Sequence, residues 1–437
     1  MSVLDLARLQ FAFTTVYHFL FVPLTLGLSI IVAIMHTMYF ASKDPGRKET
    51  MKRLTKYFGA LFIINYAIGI VTGIVQEFQF GMGWADYSRY VGDIFGAPLA
   101  VEALLAFFIE STFLGVWAFG WDKLPKAVHL ATIWLVAVAS NISAYVILAA
   151  NTWMQHPVGF TVNQQAGRAE LNDFLRVVLN SQAGVTFAHV FTTAAVTSCI
   201  FVAAIAGYNV IKKNEHGKPM LPVLATTLAA AVVFTFLALN VTGDMSAVTI
   251  MNDQPLKLAA AVGTLNQDAT SAATAKTAEA SGAAASSADL VSQFEQKFGP
   301  GDYYPPAAAT RVSFQVMVYG GYVIIGLSLL VLALLVVLRL VLRMRSAAYL
   351  WLLFIALPLP YICNTAGWLV REFGRLPFSV YGFLLLKDSI SPTLQSSQVL
   401  FSLIAFTLVY LVLAVIGFGL MIKYVRNNGK FDDQILE

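Results

Sequence analysis

The chain has 437 residues, of which 58% are hydrophobic and 12% charged. A soluble protein of this length carries about twice that charged fraction, so a water-soluble globular fold is excluded. The formal charge of +4 is too small to mark a nucleic-acid surface and is read instead as membrane topology.

Apolar stretches of about twenty residues recur from end to end, the signature of membrane-spanning helices. Nine spans are predicted, at roughly 11–40, 55–80, 96–121, 126–150, 184–211, 221–242, 311–340, 347–370 and 398–424. The first run is too long for a cleavable signal peptide and lacks a small-residue cleavage site. In that span, VYHFLFVPLTLG places His18 about two turns in from the outer end. A titratable ring in hydrocarbon needs a partner.

The third span, GAPLAVEALLAFFIESTF, carries Glu102 and Glu110. On a continuous α-helix they lie about 12 Å apart along one side. Intramembrane carboxylates are rare and serve proton relays among their main uses. Ser111, Ser143 and Asn151 extend a candidate polar path, although Ser and Asn also act as contacts between helices. The fifth span holds His189 near its outer end, in VTFAHVFTT. Both cysteines, Cys199 and Cys363, fall in apolar runs and make poor disulfide partners.

A long connection follows the sixth span. From Ala259 to Gln293 it has no aromatic residue and is dominated by Ala, Ser and Thr (TSAATAKTAEASGAAASSA). Such a composition cannot bury a core, which predicts an external loop bounded by better-defined ends, GDMSAVTIMNDQPLKL and FGPGDYYPP. The seventh span holds Met317, in VSFQVMVYGG, about one and a half turns from its outer end. Glu372, in GWLVREFGRLPF, lies just past the outer end of the eighth.

Basic residues orient the bundle. Lys43, Arg47, Lys48, Lys52, Arg53 and Lys56 fall in the first connection. Lys212, Lys213 and Lys218, then Arg339, Arg343 and Arg345, and finally Lys423, Arg426 and Lys430 fall on the same face. That face is expected to be cytoplasmic, with the N-terminus outside and the C-terminus cytoplasmic. His18, His189, Met317 and Glu372 then share one depth near the outer face. Singly, each has a packing explanation. Together they match a haem ligand set, since imidazole and thioether are common axial ligands.

At these residues the chain resembles subunit I of the cytochrome bd family of quinol-dependent terminal oxidases. The resemblance is carried by RLQFAFTTVYHFLFVPLTLG, EFQFG, VGDIFGAPLAVEALLAFFIES, NTWMQHPVG, VTFAHV, FQVMV and GWLVREFGRLPF. It implies that His189 and Met317 hold a low-spin haem b. It implies that His18 and Glu372 serve two high-spin haems, one of b type and one of d type or a b-type haem in its place. Trp368 is similar to a tryptophan set between haems, and Arg8 and Arg375 resemble arginines near haem propionates. Glu102, Glu110, Ser111 and Ser143 match the family's proton path, and Asp244 and Lys257 match quinol positions after span six. The family also implies quinol and O2 as substrates, a second membrane subunit, small single-span subunits, and a bacterial or archaeal plasma membrane.

Four positions depart from the family's pattern. The usual GRQPW reads GRLPF, with Leu376 and Phe378; Gln315 stands for an arginine and Val262 for a quinol-loop glutamate. Losing a cation near the low-spin haem is expected to lower its potential.

The expected architecture is all-α, a polytopic membrane bundle of about nine helices with one long external loop after helix six. It divides into 1–242 (spans one to six, with high-spin haem and proton-path residues), 243–310 (external quinol-binding loop) and 311–437 (spans seven to nine, completing the haem sites). Two rivals compete with the oxidase: a divergent haem- and quinol-binding electron carrier or sensor, and a proton-coupled transporter. The transporter calls for internal repeats and matching broken spans, which the sequence does not display.

Overall fold

The computed structural model describes residues 2–213, 217–265, 284–342, 344 and 347–430. Among these residues nine helices are long and apolar enough to cross a membrane: Val3–Ala41, Pro45–Met82, Ala85–Phe119, Lys126–Gln155, Phe174–Lys212, Gly217–Asp253, Ala307–Val336, Ala348–Phe373 and Ser396–Arg426. The protein is thus a helical, multi-pass membrane bundle with almost no sheet, as expected. Arg343, Arg345 and most of the Ala/Ser/Thr-rich stretch, 266–283, lie outside the described residues.

The third span starts at Ala85, well before the expected 96. Its first turns, DYSRYVGDIF, are polar on one side. Tyr87, Val91, Ile94 and Phe95 form a buried stripe on the other, at the spacing of one helical face. An apolar-run criterion misses such an amphipathic lead-in. The sixth span likewise runs on to Asp253, so the 242/243 boundary falls inside a helix.

Three spans are interrupted close to candidate residues. The first breaks at Leu20–Phe21, between helices Val3–Phe19 and Val22–Ala41. Pro23 in the second helix offers no N–H and crowds the preceding turn, and Phe21 N–H bonds back to the carbonyl of His18 at 3.0 Å. In the third span, Pro98 precedes a π-helical segment over Glu102–Phe107. The uniform α-helical rise behind the expected spacing of about 12 Å between Glu102 and Glu110 is thus modified by a wider turn that begins at Glu102 itself. A second π segment, Ala238–Thr242, sits in the sixth span. Such segments cluster at functional sites.

Beside a smaller apolar cluster joining Ile200, Ala231, Ile324 and Ala356 and another joining Leu256, Phe294 and Phe378, packing centres on two large cores. The inner one joins the halves of the spans carrying Leu28, Val32, Phe58, Phe62, Trp117, Ile133 and Leu224. The outer one gathers Leu6, Trp84, Ile94, Phe95, Trp153, Val177 and Val399. On the first five spans, His18, Thr72, Glu102, Glu110, Ser143 and His189 all fall between the stretches that feed these two cores. Two antiparallel hairpins lie at the end of the bundle expected to face outside, Phe160–Asn163 with Arg168–Leu171 and Phe378–Val380 with Leu384–Leu385. Helices Pro255–Val262 and Ala284–Phe298 lie beside them.

Candidate functional site

The two candidate histidines are held the same way. His18 Nδ1 lies 2.9 Å from Thr72 Oγ1 on the second span. That hydroxyl points its own proton at the carbonyls of Ile68 and Gly69, both at 3.0 Å. Its lone pair therefore faces the imidazole, Nδ1 carries the proton, and the Nε2 lone pair is left for another ligand. His189 Nδ1 lies 3.1 Å from Thr242 Oγ1, in the π segment of the sixth span.

In both cases a glycine follows the threonine. A Cβ at Gly73 would stand 3.2 Å from His18 Cε1, and one at Gly243 would stand 3.9 Å from His189 Cε1. The sequence repeats the tripeptide Val-Thr-Gly at 71–73 and 241–243. Sequence reasoning missed both threonines, and this repeat was the available signal. Such a partner on the far ring nitrogen fixes tautomer and orientation in metal-binding histidines.

Met317 meets the eighth span at a glycine, where a Cβ on Gly367 would come within 2.9 Å of Met317 Sδ. The next residue, Trp368, stacks on Phe19 with ring centroids 5.3 Å apart and planes at 17°. The eighth span thereby touches both the Met317 helix and the residue after His18. One turn on, Glu372 accepts a hydrogen bond from Asn151 Nδ2 at 3.0 Å and pairs with Arg375. Arg371 donates from Nε to Asn151 Oδ1 and from Nη1 to Thr186 Oγ1 at 3.3 Å. Asn151 thus bridges Glu372 and Arg371, whereas the sequence reading put it on the path of the third-span carboxylates.

Buried guanidinium donors remain over. Arg371 Nη2 and Arg375 Nε and Nη1 have no protein partner among the described residues. Unpaired N–H groups of a buried cation are costly, and a ligand bearing carboxylates would satisfy them. Among the described residues no three His, Cys, Asp or Glu side chains gather into a metal cage. What the site offers is single donors on separate helices beside free guanidinium N–H groups. That donor set fits haem, whose iron takes one or two axial ligands and whose propionates are anions.

The two carboxylates of the third span are separately partnered. Ser143 Oγ donates to Glu102 Oε1 at 3.0 Å, and Tyr66 OH donates to Glu110 Oε2 at 3.0 Å. Glu77 on the second span is close enough to Glu102 for their charges to interact. Ser111 turns back to the Phe107 carbonyl at 2.8 Å and is not brought to either carboxylate.

Outside the spans, Lys257 is buried, with Nζ bonded to Gln155 Oε1. Burial and the neighbouring Arg371 cation, with Arg375 adding to them, push its ammonium well below the usual lysine range; Glu372 pulls the other way. Gln155, Arg371 and Thr186 were not singled out from sequence. Asp244 and Arg8 are both exposed. Phe378 of GRLPF is buried, stacking with Tyr303 at 6.0 Å and packing against Phe294 at 4.8 Å. Val262, by contrast, is exposed.

Comparison with known proteins identifies the family. The family model for cytochrome bd terminal oxidase subunit I matches residues 6–429. Subunit 1 of the cytochrome bd ubiquinol oxidase of Bacillus subtilis (strain 168) is 39% identical, over 99% of this chain and 96% of that protein. Subunit 1 of the cytochrome bd-II ubiquinol oxidase of Escherichia coli (strain K12) is 34% identical, over 97% of this chain and 96% of that one. The solved bd oxidase of Geobacillus thermodenitrificans superposes with a TM-score of 0.80 at 25% identity, over 98% of this chain and 99% of the matched one. The chain belongs to the cytochrome bd terminal oxidase subunit I family.

Proposed function

We propose that this protein is the haem-carrying subunit of a membrane quinol:oxygen oxidoreductase. The observation that carries the reading is the pair of Val-Thr-Gly cradles. Each fixes Nδ1 of an intramembrane histidine and leaves Nε2 for an axial bond. His189 and Met317 would hold a low-spin haem b, and His18 and Glu372 the two high-spin haems, one b and one d or a second b type. Arg371 and Arg375 would take propionates on their free N–H groups. When bound, these haems supply electron transfer and the reduction of oxygen to water.

The chain's own residues handle substrate and protons. Lys257, held by Gln155 next to Arg371 and Glu372, would bind the quinol hydroxyl, with Asp244, exposed on the sixth-span helix, as a second quinol residue. Glu110 with Tyr66, then Glu102 with Ser143, would pass protons inward from the cytoplasmic side. Quinol protons leave outside while those for water come from the cytoplasm, so a gradient forms without a pump. The orientation follows the basic residues, which put the N-terminus outside. Subunit I implies a subunit II, and small single-span subunits are expected beside it.

A reduced-minus-oxidised spectrum of the protein purified with its partner subunit tests the reading. Low-spin b absorption should vanish selectively in His189→Ala and in Met317→Leu. A low-spin signal that survives both changes refutes the ligand assignment, and a preparation with no haem signal refutes the function.

A further inference from the structure

Two helix ends meet beside Lys257, and each is stopped by a proline. Pro157 draws His156 out of the helix that ends at Gln155, to φ −139° and ψ 81°. Pro255 does the same to Gln254, after the helix that ends at Asp253, at φ −144° and ψ 66°. Two neighbouring contacts join these ends. Gln155 Oε1 accepts from Lys257 Nζ, and His156 Nδ1 lies 3.3 Å from Asp253 Oδ1. The first contact is sealed: Gln155 and Lys257 are both buried, and Gln155 Nε2 donates to the Arg371 carbonyl at 3.4 Å. The second reaches the surface, with the His156 side chain 35% exposed and that of Asp253 13%. One residue along the fourth span thus separates a closed polar site from the protein's exterior.

The exposed pair has the parts of a proton-transfer dyad. Gln182 Nε2 donates to Asp253 Oδ2 at 2.8 Å, which leaves Oδ1 to accept the Nδ1 proton of His156. The carboxylate then fixes the ring, leaves the Nε2 lone pair as a base, and stabilises the imidazolium once Nε2 is protonated. Imidazole gains and loses a proton close to neutral pH. The charged groups around Lys257 itself are Arg371, Glu372 and Arg375, and they are poor carriers. The two arginines keep their protons, and Glu372 is tied to Arg375 and Asn151.

We propose that His156, backed by Asp253, takes a proton from quinol held at Lys257 and passes it to the outer side. This rests on the placement of quinol at Lys257. Oxidising a quinol to the quinone breaks two O–H bonds and frees two protons and two electrons. The electrons go on to oxygen, the acceptor of the reaction. A proton moves from a ring hydroxyl to His156 Nε2, forming an imidazolium paired with the Asp253 carboxylate. The same nitrogen then gives that proton to water outside, which restores the neutral ring for the second one.

The test uses the complex with its partner subunit in nanodiscs, with oxygen uptake driven by a decyl benzoquinol and, in parallel, a naphthoquinol. His156→Gln can still donate a hydrogen bond to Asp253 but cannot carry a proton. It should lower kcat about a hundredfold, the low end of general acid–base catalysis, with KM unchanged and a larger solvent isotope effect in D2O. His156→Ala should fall as far and be rescued by added imidazoles, the rescued rate rising with their base strength. A contact that only fastens the two helix ends predicts the reverse: wild-type turnover in His156→Gln, a raised KM in His156→Ala, and rescue indifferent to base strength. That pattern overturns the proposal. Asp253→Asn keeps an acceptor for Gln182 but offers His156 an N–H, so it should slow turnover as His156→Gln does. It decides the matter if the histidine variants do not assemble, wild-type turnover then overturning the proposal. Lys257→Met separates this step from the reading beneath it. Wild-type turnover there means that quinol is not held at Lys257; an inactive Lys257→Met beside a fully active His156→Gln overturns the proton route alone.

Discussion

Replacing Thr242 by valine removes one hydroxyl and almost nothing else, because the two side chains have nearly the same shape. The lost group is the partner of His189 Nδ1 at 3.1 Å, and in the tautomer that leaves Nε2 for a ligand it accepts the Nδ1 proton. Leaving that N–H buried and unpaired costs about 1–3 kcal/mol. At about 1.4 kcal/mol per tenfold, this spans the 10- to 100-fold loss of metal affinity typical when such a partner is removed. The freed imidazole is also a poorer donor, so the oxidised metal loses more than the reduced one and the midpoint potential rises. Haem per polypeptide by pyridine haemochrome, with a redox titration of the low-spin band, measures both effects. Thr242→Ser should restore wild-type values. Thr72→Val should act in the same way on the centre held by His18, at 2.9 Å, and leave the low-spin band alone. Wild-type haem content and midpoint in Thr242→Val, or one signal moved by both variants, would refute the cradle argument.

Two further outcomes are expected. Gly367→Ala places a methyl within 2.9 Å of Met317 Sδ and should displace the sulfur, converting the low-spin band to a high-spin one in the optical spectrum; an unchanged band would show that Met317 is not a ligand. Lys257→Met should remove a pH dependence in the docking of helix Pro255–Val262, followed by hydrogen exchange. The lysine's pKa in place lies below its unfolded value of 10.5. Between the two values the undocked segment binds more protons, so docking strengthens as pH rises. The wild type should show that slope and the variant none; equal slopes would place the titration elsewhere.

How much of this was legible beforehand depended on how each feature is written. The spans were plain, because hydrocarbon demands long uninterrupted apolar runs. His18, His189, Glu102 and Glu110 stood out because polar groups there are expensive. Their partners did not. Thr72 and Thr242 pass unnoticed among apolar neighbours, since threonine satisfies itself on its own helix, and only the repeated Val-Thr-Gly betrays them. Arg371 and Gln155 lie at span ends, where charged and amide side chains are routine. The π segment at Glu102–Phe107 left no trace, because the third span is so widely exposed that its apolar residues mark no single face. Ser111 looked like a relay from its position beside Glu110, but its hydroxyl found a nearer carbonyl.

The separation of the inner core from the outer one has a consequence for assembly. On the first five spans each half of the bundle is cemented by its own apolar side chains, while the stratum between them carries threonines, carboxylates and glycines, which seal poorly against one another. Such a chain should loosen as two blocks along that stratum before it melts as a whole. Whatever seats itself on the free nitrogens of His18 and His189 would then act as mortar between courses. Maturation is thereby tied to cofactor delivery: the blocks can form as the spans insert, but they lock only when the middle course is laid.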